Sequence, residues 1–307
     1  MSKPVKYFFR RLKNFWLFRV GEVVYWGFRK GREGYTNEKE IRFVGLQRSG
    51  NHAIINWIYC QCSEPRCHLN WVKVDQNPFY CFQRRATVRE FQKDFFTKFN
   101  INAEKIGMFS KKNLFMFSYE DEHLEKIVSE KFEKNREMWI GRSKKRYDLL
   151  LLRDPFNLFA SRLKKEDDII ENKYSLRKES ERAILSAMWK GHAKEFLGET
   201  SILKNNKVCV NYNKWVSDRE YRRIIAGLLD LEFTDAGVEE VLHIGGGSSF
   251  DRIKYNQKAS DMKVLERWKH YIDDDDFLDI FKDREIIDLS HKIFGEIPGT
   301  DELIKKL

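Results

Sequence analysis

The sequence predicts an α/β fold: a three-layer sandwich with a central parallel sheet, preceded by a basic, aromatic N-terminal segment. Short apolar runs alternate with stretches of helical periodicity, which is typical of a parallel sheet covered by helices. The run at residues 149–152 is continuously apolar, as expected of a strand buried on both faces. A strand, a glycine-containing turn and a helix follow one another at residues 41–59.

The predicted elements follow this alternation along the chain. Strands are expected at residues 41–46, 113–118, 147–152 and 207–212. Helices are expected at residues 53–59, 155–165, 178–197 and 217–230. We therefore divide the 307 residues into an appendage, residues 1–40, and one domain, residues 41–307. Residues 119–147 are dense in charge, which indicates either a lid or acceptor-binding insertion or a solvated helix.

The net charge of +10 belongs mainly to the N-terminus. Residues 1–32 contain nine Lys and Arg against one acidic residue, Glu22, so the remaining chain carries only +2. A domain without a basic stripe of its own argues against nucleic acid as a partner. The aromatic and basic residues of this segment suit either peripheral contact with a membrane surface or a helix packed on the domain.

Cysteine usage and hydropathy predict a cytoplasmic protein, with peripheral membrane contact left open. The chain has five cysteines, an odd number, and shows neither a signal peptide nor about 18 consecutive apolar residues. Cys60, Cys62, Cys67 and His68 lie close in sequence, but the one-residue spacing of the first two is too tight for a typical zinc pair. No metal site is therefore predicted.

The segment at residues 45–52 has the chemistry of a phosphate-binding loop. Backbone amides that curl between a strand and a helix N-terminus attract anions, and Gly45 and Gly50 permit the tight turn. Arg48 adds a positive charge. Three further side chains can donate hydrogen bonds: Ser49, Asn51 and His52. The segment lacks the Gly-Lys-[Ser/Thr] ending of the nucleotide-binding loop of kinases, which weighs against an NTP-dependent kinase.

A second, more specific motif lies at residues 149–161. A buried strand ends near Arg153, Pro155 opens a helix, and Ser161 follows two turns later. Arg153 and Ser161 can then meet one ligand at the carboxyl end of the sheet, where open α/β folds bind their ligands. An arginine grips a phosphate with two parallel hydrogen bonds.

Together the two motifs resemble those of the sulfotransferases that use 3′-phosphoadenosine-5′-phosphosulfate (PAPS). The resemblance covers about residues 41–270 and implies a P-loop-like fold, PAPS as donor, its product PAP, and no required metal. It implies that Arg48 stabilises charge on the leaving phosphate while the amides of residues 49–52 hold the 5′-phosphate. Arg153 and Ser161 would hold the 3′-phosphate. The sequence departs from the family by placing Arg rather than Lys at position 48, and Asn51 and His52 where hydroxyl residues are frequent.

A Gly-Ser-rich loop at residues 245–252 stands where this family closes a loop over the 3′-phosphate. The resemblance implies that four of its residues contact the donor: Gly246, Ser248, Ser249 and Arg252.

The transfer also needs a base for the acceptor, which in this family is a His or a Glu. Glu120 follows the apolar run at residues 114–117 and is preferred, because a strand end would direct it to the same sheet edge as Arg48. His68 is the second candidate and His123 the third.

The predicted function is transfer of a sulfuryl group from PAPS to a hydroxyl or amine, with a carbohydrate or glycolipid as the expected acceptor. Two alternatives stay open at this point. One is a P-loop nucleotide kinase-like enzyme. The other is a non-catalytic protein that binds glycans or membranes with the same fold.

Overall fold

The computed structural model describes residues 34–80, 111–168, 173–243 and 247–307. The predictions made for residues 1–33 and for Gly246 lie outside the described residues.

The described residues form one parallel sheet flanked by helices. Its five strands lie in the order β2-β3-β1-β4-β5. The strands are β1 Asn37–Gly45, β2 Arg66–Leu69, β3 Lys112–Glu120, β4 Ser143–Leu152 and β5 Val208–Asn211. The predicted α/β class with a central parallel sheet is confirmed.

The helices of the described residues alternate with these strands and continue beyond them. They are α1 Asn51–Cys60, α2 Leu124–Ile127, α3 Glu130–Ile140, α4 Pro155–Asp167, α5 Glu179–Phe196, α6 Tyr212–Ser217, α7 Arg219–Leu228, α8 Asp275–Phe281, α9 Arg284–Phe294 and α10 Thr300–Ile304. The predicted helix at 217–230 divides at Asp218, whose carboxylate accepts hydrogen bonds from the amides of Glu220 and Tyr221. That side chain caps α7 and separates it from α6.

β1 and β4 each begin four residues before their predicted starts, and β2 was not predicted. β1 begins at Asn37, and in its polar first half Glu40 is buried through ion pairing while Glu38 stays exposed. Glu40 accepts hydrogen bonds from Arg136 Nη1 at 2.7 Å and from the Ser143 hydroxyl at 2.5 Å. β2 was not predicted, since its four residues, Arg66–Leu69, contain only two apolar side chains that could form a periodic pattern.

The charge-dense interval at residues 119–147 contains α2, α3 and the start of β4. Its charges form ion pairs within the domain. Glu133 accepts from Arg146 Nη2 at 2.8 Å and from Arg42 Nη1 at 3.0 Å. A role of this interval as a lid or in acceptor binding remains a prediction.

The described residues group into two compact units. The first contains residues 34–42, 63–80, 111–119 and 126–146, and within it β2 pairs in parallel with β3, Arg66 opposite Leu114. Helix α3 belongs to this unit.

The second unit contains Phe43–Cys62, Glu120–Glu125 and residues 147–168, 173–243 and 247–307. Within it β4 pairs in parallel with β5, with Leu149 opposite Val208. One apolar cluster packs α4 and α5 against α8 and α9. Phe156 of α4 stacks on Phe281 of α8, with ring centroids 4.5 Å apart. This packing fixes α4, the helix that carries Ser161, against the rest of the unit.

Within the described ranges, no helix combines the length and the hydropathy that crossing a bilayer requires.

Candidate functional site: a buried cationic site in the second unit

The predicted phosphate loop is a tight turn between β1 and α1. Gly50 has φ 91°, in the left-handed region that favours glycine. A Cβ at this position would lie 2.1 Å from the Cε2 atom of Tyr212, so both the backbone and the packing exclude a side chain. Asn51 then begins α1, whose first amides, like those of any helix, have no acceptor inside the helix. The turn therefore presents a helix N-terminus that suits an anion.

Arg48 occupies the middle of this turn with φ 71°, a conformation that costs a bulky residue about 1–3 kcal/mol. A hydrogen bond from the second motif stabilises this strained conformation. Arg153 Nη1 donates a hydrogen bond to the carbonyl oxygen of Arg48 at 3.0 Å. Burial lowers the pKa of Arg48, an effect that Glu120 opposes and Arg162 reinforces.

Arg153 follows β4 directly and joins the two motifs. Its Nη1 also donates to the Ser161 hydroxyl at 3.1 Å, and its Nη2 donates to the Val264 carbonyl at 2.5 Å. The guanidinium carbon lies 5.1 Å from the centre of the Tyr212 ring. Burial lowers the pKa of Arg153, although a guanidinium stays charged in proteins. The structure thus brings Arg48, Arg153 and Ser161 into one site.

Local capping explains why Ser161 reaches Arg153. Asp154 accepts a hydrogen bond from the amide of Asn157 at 2.8 Å and so begins α4 immediately after Arg153. Pro155 occupies the first turn, where a missing N–H costs nothing. Two turns later the helix returns Ser161 to the same side as Arg153.

Several buried polar atoms of this site have no hydrogen-bond partner among the described residues. They are the Ser49 hydroxyl, Asn51 Oδ1 and Arg153 Nε. The Ser49 amide, which we expected in the phosphate cradle, donates instead to the Leu46 carbonyl at 3.2 Å. A buried polar atom without a partner costs about 1–3 kcal/mol, so a ligand that accepts from Ser49 and Arg153 would stabilise the site. These two donors fit a phosphate group.

Glu120, the preferred base, ends β3 beside the phosphate loop. Its Oε1 accepts a hydrogen bond from Asn51 Nδ2 at 2.9 Å. Its charge partly offsets the lowering of the Arg48 pKa by burial. The same Asn51 amide group donates to the Leu46 carbonyl at 3.0 Å. The Asn51 side chain therefore ties a carboxylate to the loop that carries Arg48.

The two histidine candidates have different surroundings. His68 belongs to the first unit and is buried, with Nε2 3.2 Å from the Ser118 hydroxyl, which itself donates to Asn70 Oδ1 at 2.8 Å. His123 precedes α2 in the second unit. Burial, and to a smaller extent His123, lowers the pKa of His192 to about 4. Among the three candidate bases, Glu120 has a described contact with the phosphate loop.

A buried ion pair that sequence reasoning missed also positions the loop. Arg162 and Asp121 are both fully buried and pair at 3.0 Å. Asp121 Oδ1 accepts from the amide of Gln47 at 2.9 Å, while Arg162 Nη1 donates to the carbonyl of Gln47 at 3.3 Å. The pair thus holds Gln47, the residue before Arg48, from both sides. The sequence indicates this pair only weakly, because Asp121 directly follows the candidate base Glu120 and Arg162 directly follows Ser161.

The Gly-Ser-rich loop at residues 245–252 is described from Gly247 onward, and Gly247 has φ 73°. Ser248 and Arg252 close it through paired backbone hydrogen bonds of 2.9 and 3.0 Å. Arg252 Nη2 donates to Asp168 Oδ2 at 2.7 Å. Asp168 caps the C-terminus of α4, seven residues beyond Ser161, which corresponds to about 10 Å along the helix axis. Arg252 would have to leave Asp168 to contact a phosphate at Ser161.

Ser248 and Ser249, the other two residues of this loop expected to contact PAPS, differ in burial. Ser249 is buried. The Ser248 hydroxyl accepts from Arg267 Nη2 at 3.4 Å and donates to Asp251 at 3.2 Å. Arg267, which the sequence did not single out, forms an ion pair with Asp251 and lies over the Phe250 ring at 4.5 Å.

A buried lysine completes the cationic set. Lys165 lies one helical turn after Ser161 and is only 3% exposed. Burial, together with the positive charges of Arg48 and Arg252, lowers the pKa of Lys165 to about 8, against the pull of Asp168. Sequence reasoning missed Lys165, although its spacing of four from Ser161 on one helix was a usable signal.

Metal ligands do not cluster in the described part of the chain. No group of three His, Cys, Asp or Glu side chains there is arranged to hold a metal ion. The described cysteines lie outside any disulfide; they are Cys60, Cys62, Cys67 and Cys209. Burial raises the pKa of Cys209 to about 11, which makes it a poor metal ligand.

No family model matches this chain, and no curated protein matches it. A search of solved structures finds the sulfotransferase domain from the curacin biosynthetic pathway among its matches. That domain is 13% identical to this chain. The match covers 84% of this chain and 98% of that domain, with a TM-score of 0.39.

Proposed function

We propose that this chain is a sulfotransferase that uses PAPS to sulfate a hydroxyl or amine, on a carbohydrate or glycolipid. The observation that carries the proposal is the position of Arg153 Nη1, 3.0 Å from the Arg48 carbonyl and 3.1 Å from the Ser161 hydroxyl. One buried guanidinium thereby joins two motifs that lie about one hundred residues apart in sequence. Each motif has residues whose chemistry suits a phosphate, and together they resemble the donor site of the PAPS-dependent sulfotransferases.

The residues present fit a donor that carries phosphates at two positions. Arg153 and Ser161 would hold the 3′-phosphate, because Arg153 Nε is a buried donor that has no partner in the described structure. The Ser49 hydroxyl and the first amides of α1 would hold the 5′-phosphate. Ser248, Ser249 and Arg252, with Gly246, are proposed to complete the donor site.

PAPS, when bound, would supply a sulfuryl group that forms a bond to the acceptor atom as its bond to the 5′-phosphate oxygen breaks. Arg48 would neutralise the negative charge that the phosphate gains, because its guanidinium stays protonated in this buried site. Glu120 would take the proton from the acceptor hydroxyl or amine. Asn51 holds Glu120 at 2.9 Å and so keeps its carboxylate beside the Arg48 loop. No step of this scheme needs a metal.

The acceptor class rests on the resemblance of the Arg48 loop to that of carbohydrate sulfotransferases and on the basic, aromatic segment at residues 1–32. We place the protein in the cytoplasm, with peripheral membrane contact through that segment. Labelled PAPS incubated with the protein and an extract of its host would identify the acceptor as the labelled product.

Binding to immobilised PAP without Mg²⁺ tests the donor. We expect retention on PAP-agarose and release by free PAP. Binding that requires Mg·ATP would instead support a nucleotide kinase-like enzyme. Calorimetry that detects no PAP binding would support a non-catalytic glycan- or membrane-binding protein.

A further inference from the structure

Lys165 is a buried cation without a described anionic partner. Its side chain is only 3% exposed, yet no ion pair joins it to any carboxylate of the described residues. The adjacent Lys164, by contrast, pairs with Asp168 at 3.1 Å. Lysines are almost never buried unless they are paired, because the desolvated ammonium is costly. This lysine therefore lacks a partner that the folded chain would normally provide.

The position of Lys165 on α4 places it between two arginine contacts. Ser161, which accepts from Arg153, lies four residues earlier, and Asp168, which accepts from Arg252, lies three residues later. Residues at these spacings share one face of a helix. The rise of an α-helix puts Lys165 about 6 Å beyond Ser161 along the axis.

The positive charges near this face of α4 favour the binding of an anion. Arg48 and Arg252 both act on Lys165 and, with burial as the largest cause, lower its pKa to about 8. Like charges gathered in a partly desolvated site repel one another, and a bound anion would relieve that repulsion. Asp168 is already engaged by Lys164 and Arg252.

The phosphates of the donor do not account for this cation. Under the proposed function they occupy the Arg48 loop and the Arg153–Ser161 contact. Lys165 lies one turn farther along α4 and near Arg48, whose guanidinium would neutralise the leaving phosphate. An acceptor must reach the sulfur opposite that phosphate.

We propose that Lys165 binds a negatively charged group of the acceptor, so that the substrate is an acidic saccharide rather than a neutral one. The charged group would be a carboxylate, phosphate or sulfate, the anions that an ammonium group recognises. This inference rests on the proposed function, since it assigns the donor phosphates to other residues.

Calorimetry on the full chain tests the inference with inorganic sulfate as the probe. PAP is titrated first, and the PAP-saturated protein is then titrated with sulfate. We expect one sulfate to bind beside PAP. Lys165→Met should weaken that binding by about tenfold or more, with PAP affinity within about twofold of the wild type.

Two further variants serve as controls. Lys194→Met removes a charge that pairs with Glu285 at 2.7 Å on the surface of α5, and should change neither titration. Lys165→Arg keeps the charge and should retain sulfate binding. Met fits the space of a lysine stem, so Lys165→Met should fold, and its melting temperature checks this. If it does not fold, Lys165→Gln takes its place in the titration.

The outcomes separate the two proposals. If PAP fails to bind the wild type, the proposed function is wrong and the acceptor assignment falls with it. If PAP binds but Lys165→Met leaves sulfate affinity unchanged, the acceptor assignment alone is wrong. If Lys165→Met weakens PAP binding by tenfold and not sulfate binding, Lys165 holds the donor.

Discussion

Arg153 Nη1 donates a hydrogen bond to the carbonyl oxygen of Arg48 at 3.0 Å, across 105 positions of sequence. Arg48 has φ 71°, so the contact reaches a carbonyl whose direction depends on a left-handed turn. The shape of the phosphate loop and the position of the second motif are therefore coupled. A substitution at Arg153 should therefore alter the backbone conformation of the loop at Arg48.

Replacing Arg153 tests this coupling. We expect Arg153→Met to abolish PAP binding, because it removes the predicted phosphate ligand and leaves the Arg48 and Val264 carbonyls without their donor. Loss of these two charge-assisted hydrogen bonds should also lower the free energy of unfolding, by about 1.5–3 kcal/mol each. Calorimetry with PAP and urea unfolding measure the two effects.

Arg223→Met is the matched control, since Arg223 pairs with Glu220 on the exposed face of α7 at 2.5 Å. It should change PAP affinity little. Normal PAP binding by a folded Arg153→Met would contradict the assignment of Arg153.

Glu120→Gln should separate binding from transfer. The Gln oxygen can still accept from Asn51 Nδ2, which now lies 2.9 Å from Glu120, so the loop keeps its shape and PAP affinity should hold. Loss of the base should lower kcat by about 10²–10⁴-fold. Steady-state assays with labelled PAPS measure this. Normal turnover would move the role to another residue, and parallel assays of His68→Gln and His123→Gln would show which.

The buried pair of Asp121 and Arg162 should contribute to both stability and binding. Asp121→Asn removes the negative charge that pairs with the buried Arg162, which should cost about 3–5 kcal/mol in the free energy of unfolding. PAP binding should weaken as well, because Arg162, which donates to the Gln47 carbonyl, loses the carboxylate that orients it. Urea unfolding and calorimetry test both effects.

A double variant, Asp121→Asn with Arg162→Met, should be more stable than the sum of the single effects predicts, because no uncompensated charge remains. Additive effects would show that the pair does not act as a unit.

Gly50→Ala should disrupt the phosphate loop. The new Cβ would meet the Tyr212 ring at 2.1 Å, and φ 91° is unfavourable for alanine. We expect lost PAP binding and a lower melting temperature. Gly191→Ala, in an open helical position on α5, should instead stabilise the protein by about 0.5–1 kcal/mol. Equal effects of the two changes would refute the packing argument.

The affinity for sulfate beside PAP should depend on pH. The pKa of Lys165 is lowered to about 8 in the free site, so the ammonium is charged below that pH and loses its proton as pH rises above it. Sulfate affinity should therefore be highest below about pH 8 and fall above it. Calorimetry from pH 6.5 to 9.5 measures this, and Lys165→Arg should remove the dependence. A flat wild-type profile would count against Lys165 as the sulfate ligand.

The predicted strands at 113–118 and 147–152 lie within β3 and β4, because continuous apolar runs are a local signal that burial in a sheet requires. β2 was not predicted because its four residues contain only two apolar side chains. The early start of β1 escaped because Glu40 is buried through Arg136, a residue 96 positions away.

The two motifs around Arg48 and Arg153 could be read from the sequence, since a glycine turn before a helix and a proline at a helix start are local chemistry. The burial of the Asp121–Arg162 pair and of Lys165 could not. Whether a charge is buried, and what it then faces, depends on residues that are distant in the chain and meet only in the folded state.

The sequence by itself determined the α/β class, the two phosphate-type motifs and the short set of candidate bases. The tertiary structure alone decided that Arg48, Arg153 and Ser161 meet, that Glu120 is tied to the loop through Asn51, and that Lys165 stands beside them without a described partner. The physical reason is that turns, caps and apolar runs act over a few residues. Burial and electrostatic contact act across the fold.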